Sequence, residues 1–95
     1  MTAVEWRARV ERWRIEGTFR TAKVTRRQTT VVVVEAHSGG HRGLGECVPY
    51  DGYGETVESV MGQLAAATRP EDLPPGAARN GMALAEIGLE CKRRG

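Results

Sequence analysis

Aromatic residues and long apolar runs are scarce in this sequence. Of its 95 residues, five are aromatic: Trp6, Trp13, Phe19, Tyr50 and Tyr53. The chain is long enough for one domain at most, and its core must consist mainly of aliphatic side chains. The longest aliphatic run, Val31–Val34, is too short for a membrane span or a signal peptide. We therefore expect a cytoplasmic protein with no membrane partner.

Cysteine and histidine are also rare, which bears on redox and metal chemistry. Cys47 and Cys91 form no Cys-x-x-Cys pair and no zinc-ligand spacing, so we expect free thiols in a reducing compartment. His37 and His41 flank a turn and are predicted to lie on the surface. Glu46 follows a Gly-x-Gly, but a lone carboxylate on a strand is usually structural. No metal ligand is predicted.

Positive charge is concentrated in the first third of the chain. The net charge is +2; residues 1–30 hold eight Arg and Lys against three Glu, and residues 31–95 hold six against nine acidic residues. A basic segment can bind nucleic acid. Here the basic residues alternate with apolar ones, as on the exposed face of a strand, and no nucleic-acid-binding motif accompanies them. The sequence therefore argues against a nucleic-acid partner.

The first predicted strand shows an alternation of apolar and charged residues. This period of two indicates a strand with one buried face over residues 4–13. Trp13 and Ile15 fall out of register with it, so we expect a bulge or the strand end near Arg12–Arg14. The next segment, Gly17–Gln28, is polar and basic without a clear period. It is predicted to be a loop.

Two further strands are predicted around a hairpin turn. The β-branched segment TTVVVVEA predicts a central strand over residues 29–36, buried on both faces. Ser38–Gly40 supplies the permissive backbone of a hairpin, and a third strand is predicted over residues 41–48. Gly43 and Gly45 within it indicate close packing or a bulge.

Two helices are predicted after the strands. Thr56 is a suitable N-cap, and Glu58 complements the helix dipole, so a first helix is predicted over residues 56–68. A second helix is predicted from about Ala77 to Arg94. The order of elements predicts an α+β fold, in which a three-stranded antiparallel β-meander is followed by helices.

The apolar face of the second helix is predicted to need a partner outside this chain. Its members are Leu84, Ile87 and Cys91, with Met82 and Leu89 beside them. Because exposed apolar faces drive association, we expect this helix to be ill-placed, mobile or buried against a second copy through residues 77–95.

Three segments resemble parts of one known domain, in the same order. They are ERWRIEGTF followed by VVVVEA, then GLGECVPYDGYGETVESV, and finally LPPGAARNGMALAEIGLECKRRG. The chain resembles the N-terminal capping domain of enolase-superfamily enzymes of the mandelate racemase/muconate lactonizing enzyme type, and in particular dipeptide epimerases of the L-Ala-D/L-Glu type. It departs from the family at Glu86–Gly88, where an apolar residue, Trp and Asp are usual, and in a shortened stretch before LPPG.

The resemblance implies a division of the chain and a role for two loops. Residues 1–76 would be the capping domain, and residues 77–95 would begin a (β/α) barrel of which about 250 residues are missing. In the family the cap closes the mouth of the barrel with two loops, here GTFRTAKVTRR and VPYDGYGET. A barrel domain would act in cis or in trans. Without one, we expect a truncated chain that is inactive alone.

The activity implied by the resemblance is that of an isomerase. One lysine abstracts the α-proton of an L-Ala-D/L-Glu-type dipeptide, another returns a proton to the opposite face, and Mg²⁺ held by carboxylates stabilises the enediolate. This chain contains only Lys23 and Lys92, and no three acids at strand-end spacing. We therefore expect no catalytic residue and no cofactor here; Mg²⁺ and the dipeptide would belong to the complete enzyme.

Five loop residues are candidate substrate contacts: Phe19, Lys23, Arg26, Tyr50 and Tyr53. Lys23 falls where many family members carry an arginine for a substrate carboxylate. Within this fragment a solvated loop residue is the simpler interpretation, and Arg26 could supply the charge instead. The three aromatic residues could line the substrate pocket or anchor their loops.

Two other functions remain open for the chain as a whole. It could be a non-functional remnant, or a free-standing module that binds through its basic half.

Overall fold

The structure, a computed structural model, describes residues 3–18, 24–50, 52 and 54–95; for residues 14–18 and 24–28 it describes the backbone. The elements are β1 (Glu5–Thr18), β2 (Val24–Ser38), β3 (His41–Cys47), α1 (Val57–Ala66), a short 3-10 turn (Pro70–Asp72) and α2 (Ala77–Arg93). This order confirms the predicted α+β fold of three strands followed by helices. Within these residues no helix has the length and apolar character that crossing a membrane requires.

The sheet is antiparallel throughout, with β2 in the centre. Val34 pairs with Ala8 of β1 on one side and with Gly45 of β3 on the other. The four valines Val31–Val34 are at most 3% exposed. The prediction of a central strand buried on both faces is therefore confirmed.

The hairpin of β1 and β2 is longer than the sequence pattern predicts. Pairing runs without interruption through Arg12–Arg14, so the predicted bulge or strand end there is wrong. The predicted loop over Gly17–Gln28 is also wrong at its two ends, which belong to β1 and β2. The third strand stops opposite Val32, and beyond it the ribbon has only two strands. Such a ribbon pairs through its backbone and needs no alternation of apolar residues, so the pattern gave no sign of it.

Helix α1 begins at a reciprocal cap. Thr56 Oγ1 accepts a hydrogen bond from the Ser59 backbone N–H at 3.0 Å, and Ser59 Oγ accepts one from the Thr56 N–H at 2.9 Å. This capping box satisfies two amides that the first turn of a helix leaves unpaired. The predicted N-cap is confirmed, while the helix ends at Ala66 rather than at residue 68.

Helix α2 packs across the sheet and completes the core. Its buried face contains Ala78, Gly81, Met82, Ala85 and Leu89. The prediction that Met82 and Leu89 belong to a face in need of an outside partner is wrong, because both are buried in the core with β2. Leu84 and Ile87, by contrast, are 51% and 60% exposed. The apolar residues of α2 therefore form two stripes, and the one against the sheet gives the helix a defined place.

Glycines allow α2 to approach the sheet backbone to backbone. A Cβ at Gly43 would lie 2.9 Å from the Leu89 Cα, and one at Gly45 would lie 2.8 Å from the Ala85 N and closer still to the Gly81 carbonyl oxygen. On the helix side, a Cβ at Gly81 would come within 3.0 Å of Val34. The close packing predicted for Gly43 and Gly45 is confirmed. It also gives a reason for a glycine inside α2, which lowers helix propensity by about 1 kcal/mol relative to Ala.

We expect the Gly45→Ala substitution to destabilise the fold by about 3 kcal/mol, the upper end of the usual range for overpacking, because the new methyl meets backbone atoms that no rotamer change can move. Urea unfolding of the purified chain measures this change. Gly62→Ala is the matched control: Gly62 lies in α1 with nothing within 4 Å of the added Cβ, so the substitution should stabilise the fold by up to about 1 kcal/mol. Equal stability of the two variants would contradict the backbone contact.

Candidate functional site

The predicted site residues fall unevenly on the described part of the chain. Phe19, Lys23 and Tyr53 lie outside the described residues. The backbone of Arg26 lies in β2 opposite Glu16, so its predicted place in a loop is wrong, and its side chain is not described. Tyr50 is described in full. The site can therefore be built from the second predicted loop, which we call the 48–56 loop.

The 48–56 loop presents Tyr50 at the surface. Tyr50 is 58% exposed, and its ring lies over Gly52, where an added Cβ would be 2.5 Å from the Tyr50 Cε1. Gly54 has a φ of +72°, a left-handed conformation that side chains other than glycine rarely adopt. Gly52 thus leaves room for the exposed Tyr50 ring, and Gly54 allows a backbone conformation that favours glycine. Both roles predicted for Tyr50, lining a substrate pocket and anchoring the loop, stay predictions.

Glu55 fastens the end of this loop. Its backbone N–H donates to the Tyr50 carbonyl oxygen at 3.2 Å, and its Oε1 accepts from the Tyr50 N–H, also at 3.2 Å. Its second carboxylate oxygen, Oε2, accepts from the Ala77 N–H at 2.9 Å. Ala77 is the first residue of α2. One side chain therefore joins the loop to the start of the last helix.

The N-terminus of α2 has no cap of its own. Its N-cap position is Gly76, and its first turn contains no acidic residue. The first amides of a helix lack intrahelical partners and carry a partial positive charge, so a carboxylate is a favourable acceptor there. Glu55 supplies that carboxylate from another part of the chain. Sequence reasoning missed this role; the available signal was a helix start, PPGAARN, with no Ser, Thr, Asp or Asn immediately before it.

A surface cavity of about 600 Å³ lies beside this junction. Its lining comes from the loop at Glu55, from α1 at Ser59 and Gln63, and from the start of α2 at Gly76 and Asn80. The cavity therefore lies where the loop, α1 and the start of α2 come together around Glu55.

In the described part of the chain, the acidic and histidine side chains do not assemble into a metal site. Among the described residues, no three His, Cys, Asp or Glu side chains come together where they could hold a metal ion. Glu35 is engaged elsewhere: it accepts from His37 Nε2 at 2.7 Å and pairs with Arg9. Glu46 is exposed on β3. The residues described therefore do not fit the oxygen ligand set that Mg²⁺ requires.

The two cysteines are free thiols in different surroundings. Cys47 is buried at the end of β3, and Cys91 is exposed near the end of α2. Burial raises the pKa of the Cys47 thiol to about 11, and the negative charge of Glu55 adds to the increase. Since the thiolate is the reactive form, Cys47 is held in an unreactive state at neutral pH.

We expect a thiol reagent at about pH 8 to modify Cys91 rapidly and Cys47 only as fast as the fold opens. The Cys91→Ser variant should retain only the slow phase, and Cys47→Ser only the fast one. Because the folded-state pKa of Cys47 is raised, its neutral thiol contributes stability below pH 9.0 that is lost as the pH rises through about 11. Modification of the Cys91→Ser variant at the rate of an unfolded peptide would contradict the burial of Cys47.

Comparison with known proteins identifies the family. The sequence profile described as the mandelate racemase / muconate lactonizing enzyme, N-terminal domain, matches residues 3–73. The match spans well over half of the chain. The chain therefore belongs to this family of N-terminal domains.

Its relatives place it with the dipeptide epimerases of the enolase superfamily. L-Ala-D/L-Glu epimerase of Escherichia coli strain K12 is 39% identical over 88% of this chain and 30% of its own length. A solved structure of an L-Ala-D/L-Glu epimerase matches 98% of this chain and 31% of its own, with a TM-score of 0.80 and 33% identity. A second, an enolase family member from Agrobacterium tumefaciens with homology to dipeptide epimerases, matches 96% of this chain and 31% of its own, with a TM-score of 0.74 and 30% identity.

Proposed function

We propose that the chain is the substrate-specificity cap of a dipeptide epimerase. The observation that carries the proposal is the fold match, at a TM-score of 0.80, to an L-Ala-D/L-Glu epimerase over nearly the whole chain. The chain spans about 30% of the length of these relatives. A cap of this size acts together with a barrel domain, in cis or in trans. The complete enzyme works in the cytoplasm.

The cap contributes binding, and the barrel contributes proton transfer. The A. tumefaciens relative is described with bound sodium and L-Ala-L-Glu, with an ordered loop. A dipeptide of this type carries two carboxylates, and this chain offers Lys23, together with Arg26 at the start of β2, to meet them. Phe19, Tyr50 and Tyr53 would close the apolar side of the pocket.

We assign proton transfer to the barrel and not to the two lysines of this chain. Lys23 and Lys92 are the only two, and Lys92 lies exposed in the last turn of α2. Abstraction of a weakly acidic α-proton and its return on the other face require two positioned bases. The bases, and any Mg²⁺ that the complete enzyme would use to stabilise negative charge, would belong to the barrel.

The exposed stripe of α2, Leu84 and Ile87, is the surface on which the barrel docks. Both side chains are more than half exposed while the opposite stripe of the helix is buried against the sheet. An apolar stripe left uncovered at the edge of a domain is typical of an interface. Without a barrel, the same stripe would pair two copies of the chain.

A chimera tests the proposal directly. We expect the chain alone to catalyse no deuterium incorporation at the α-carbon of L-Ala-L-Glu in D₂O. When it replaces the corresponding segment of the E. coli epimerase, to which it is 39% identical, activity should appear. A folded but inactive chimera would contradict the proposal, and so would exchange catalysed by the chain alone.

Within the chimera, Lys23→Ala should raise KM about tenfold with kcat nearly unchanged, because a carboxylate contact made equally in the ground and transition states adds to binding alone. Arg26→Ala tests the alternative contact in the same way. Lys92→Ala, at the exposed end of α2, is the matched control and should change neither constant. A fall in kcat alone for Lys23→Ala would instead assign Lys23 to loop closure.

A further inference from the structure

We propose that Glu55 is a positioning residue that holds Tyr50 in place by tying the 48–56 loop to helix α2. This inference rests on the proposed function of the loop as part of the substrate pocket. It concerns a residue that touches no substrate and acts through its neighbours.

Glu55 binds both backbone polar groups of Tyr50. The Tyr50 carbonyl oxygen accepts from the Glu55 N–H, and the Tyr50 N–H donates to the Glu55 Oε1, each at 3.2 Å. The peptide groups on either side of an aromatic residue set the direction of its side chain. The backbone position of Tyr50, and with it the direction in which its side chain leaves the loop, therefore depends on where Glu55 lies.

The position of Glu55 is fixed in turn by two helices. Its Oε2 accepts from the Ala77 N–H at the start of α2, and the next residue, Thr56, caps α1. Adjacent residues thus cap two different helices. Since α2 is held against the sheet through Gly43 and Gly45, the loop is connected to the core by way of the α2 N-terminus.

A helix cap alone would need only part of this arrangement. Capping of α2 uses one carboxylate oxygen, whereas the other oxygen and the backbone N–H of Glu55 both serve Tyr50. Gly76 leaves the space that the carboxylate occupies, because a Cβ at Gly76 would be 2.9 Å from the Glu55 Oε2. The geometry therefore points to a connection between the loop and α2. The contact with Ala77 holds the helix end of this connection, and the contacts with Tyr50 hold the loop end.

Amide hydrogen exchange of the chain, followed by NMR, tests the connection independently of any activity. In the Glu55→Ala variant, the amides of both Tyr50 and Ala77 should exchange about tenfold faster or more, as expected for loss of a charged acceptor. The amides of Val32 and Val34 should keep their protection, which would show that the fold is intact. The matched control is Glu71→Gln, an exposed acid in the 3-10 turn, which should leave all four amides unchanged.

Two exchange results would overturn the inference. If the Ala77 amide loses protection while the Tyr50 amide does not, Glu55 is a helix cap and nothing more. If neither changes, the carboxylate contacts do not hold the loop. Gly76→Ala offers a second route to the same result: it should expose both amides by displacing the carboxylate while Glu55 remains present.

The positioning role is tested in the chimera with the E. coli barrel. Glu55→Gln keeps the size of the side chain but can accept from only one of the two amides. It should raise KM for L-Ala-L-Glu about tenfold with a smaller change in kcat, and Glu71→Gln should change neither. Unchanged KM would overturn the positioning role. An unsubstituted chimera without activity would contradict the proposed function instead, and the exchange experiment would still decide the role of Glu55.

Discussion

The contact between the backbones of α2 and β3 is the constraint on which the rest of the structure depends. Gly43 and Gly45 on the strand and Gly81 on the helix remove the side chains that would otherwise separate the two elements. The helix therefore approaches the strand closely and buries Met82 and Leu89 completely. A wider gap would need large side chains to fill it, and the chain has few aromatic residues. Helix α2 thereby has a fixed place, and its N-terminus, which has no local cap, lies where Glu55 can cap it.

The opposite face of the sheet is closed in a different way. No helix of the described chain packs on the face that carries Val31 and Val33, yet both are only 3% exposed. Arg9 crosses this face, bonding Glu11 at 2.6 Å and pairing with Glu35 on the neighbouring strand. Exposed ion pairs contribute little stability in themselves, but long charged side chains cover apolar surface with their stems. Part of the basic character of the first third of the chain is explained by this cover.

Features encoded by neighbouring residues were predictable from the sequence. The turn at Ser38–Gly40 and the cap at Thr56 each depend on a few adjacent side chains, and the structure has both. The period of two in β1 is met only in part: Trp6 and Ala8 are half-buried against the core, but Val10 is 43% exposed. The resemblance of longer segments supplied the family, which the comparisons show. This resemblance extends over many residues in the same order, so it identified the family, which a short local pattern could not do.

Features that depend on distant parts of the chain were not predictable in the same way. Helix α2 has two apolar stripes, and only the position of the sheet decides that Met82 rather than Leu84 is buried. The extension of β1 beyond Trp13 depends on its pairing with β2 and leaves no mark on the side-chain pattern. In the sequence, Glu55 is indistinguishable from an ordinary acidic loop residue, because its partner Ala77 lies 22 residues away along the chain. Each of these required the tertiary structure.

Hydrogen exchange along α2 tests the central claim most directly. If α2 is held on the sheet by the glycine contact, the amides of Ala85 and Leu89 in the chain alone should exchange as slowly as those of Val32 and Val34, through global unfolding. Rapid exchange across residues 80–92 in a chain whose β2 amides stay protected would show that the helix is not part of the core. It would then also remove the support on which the 48–56 loop depends.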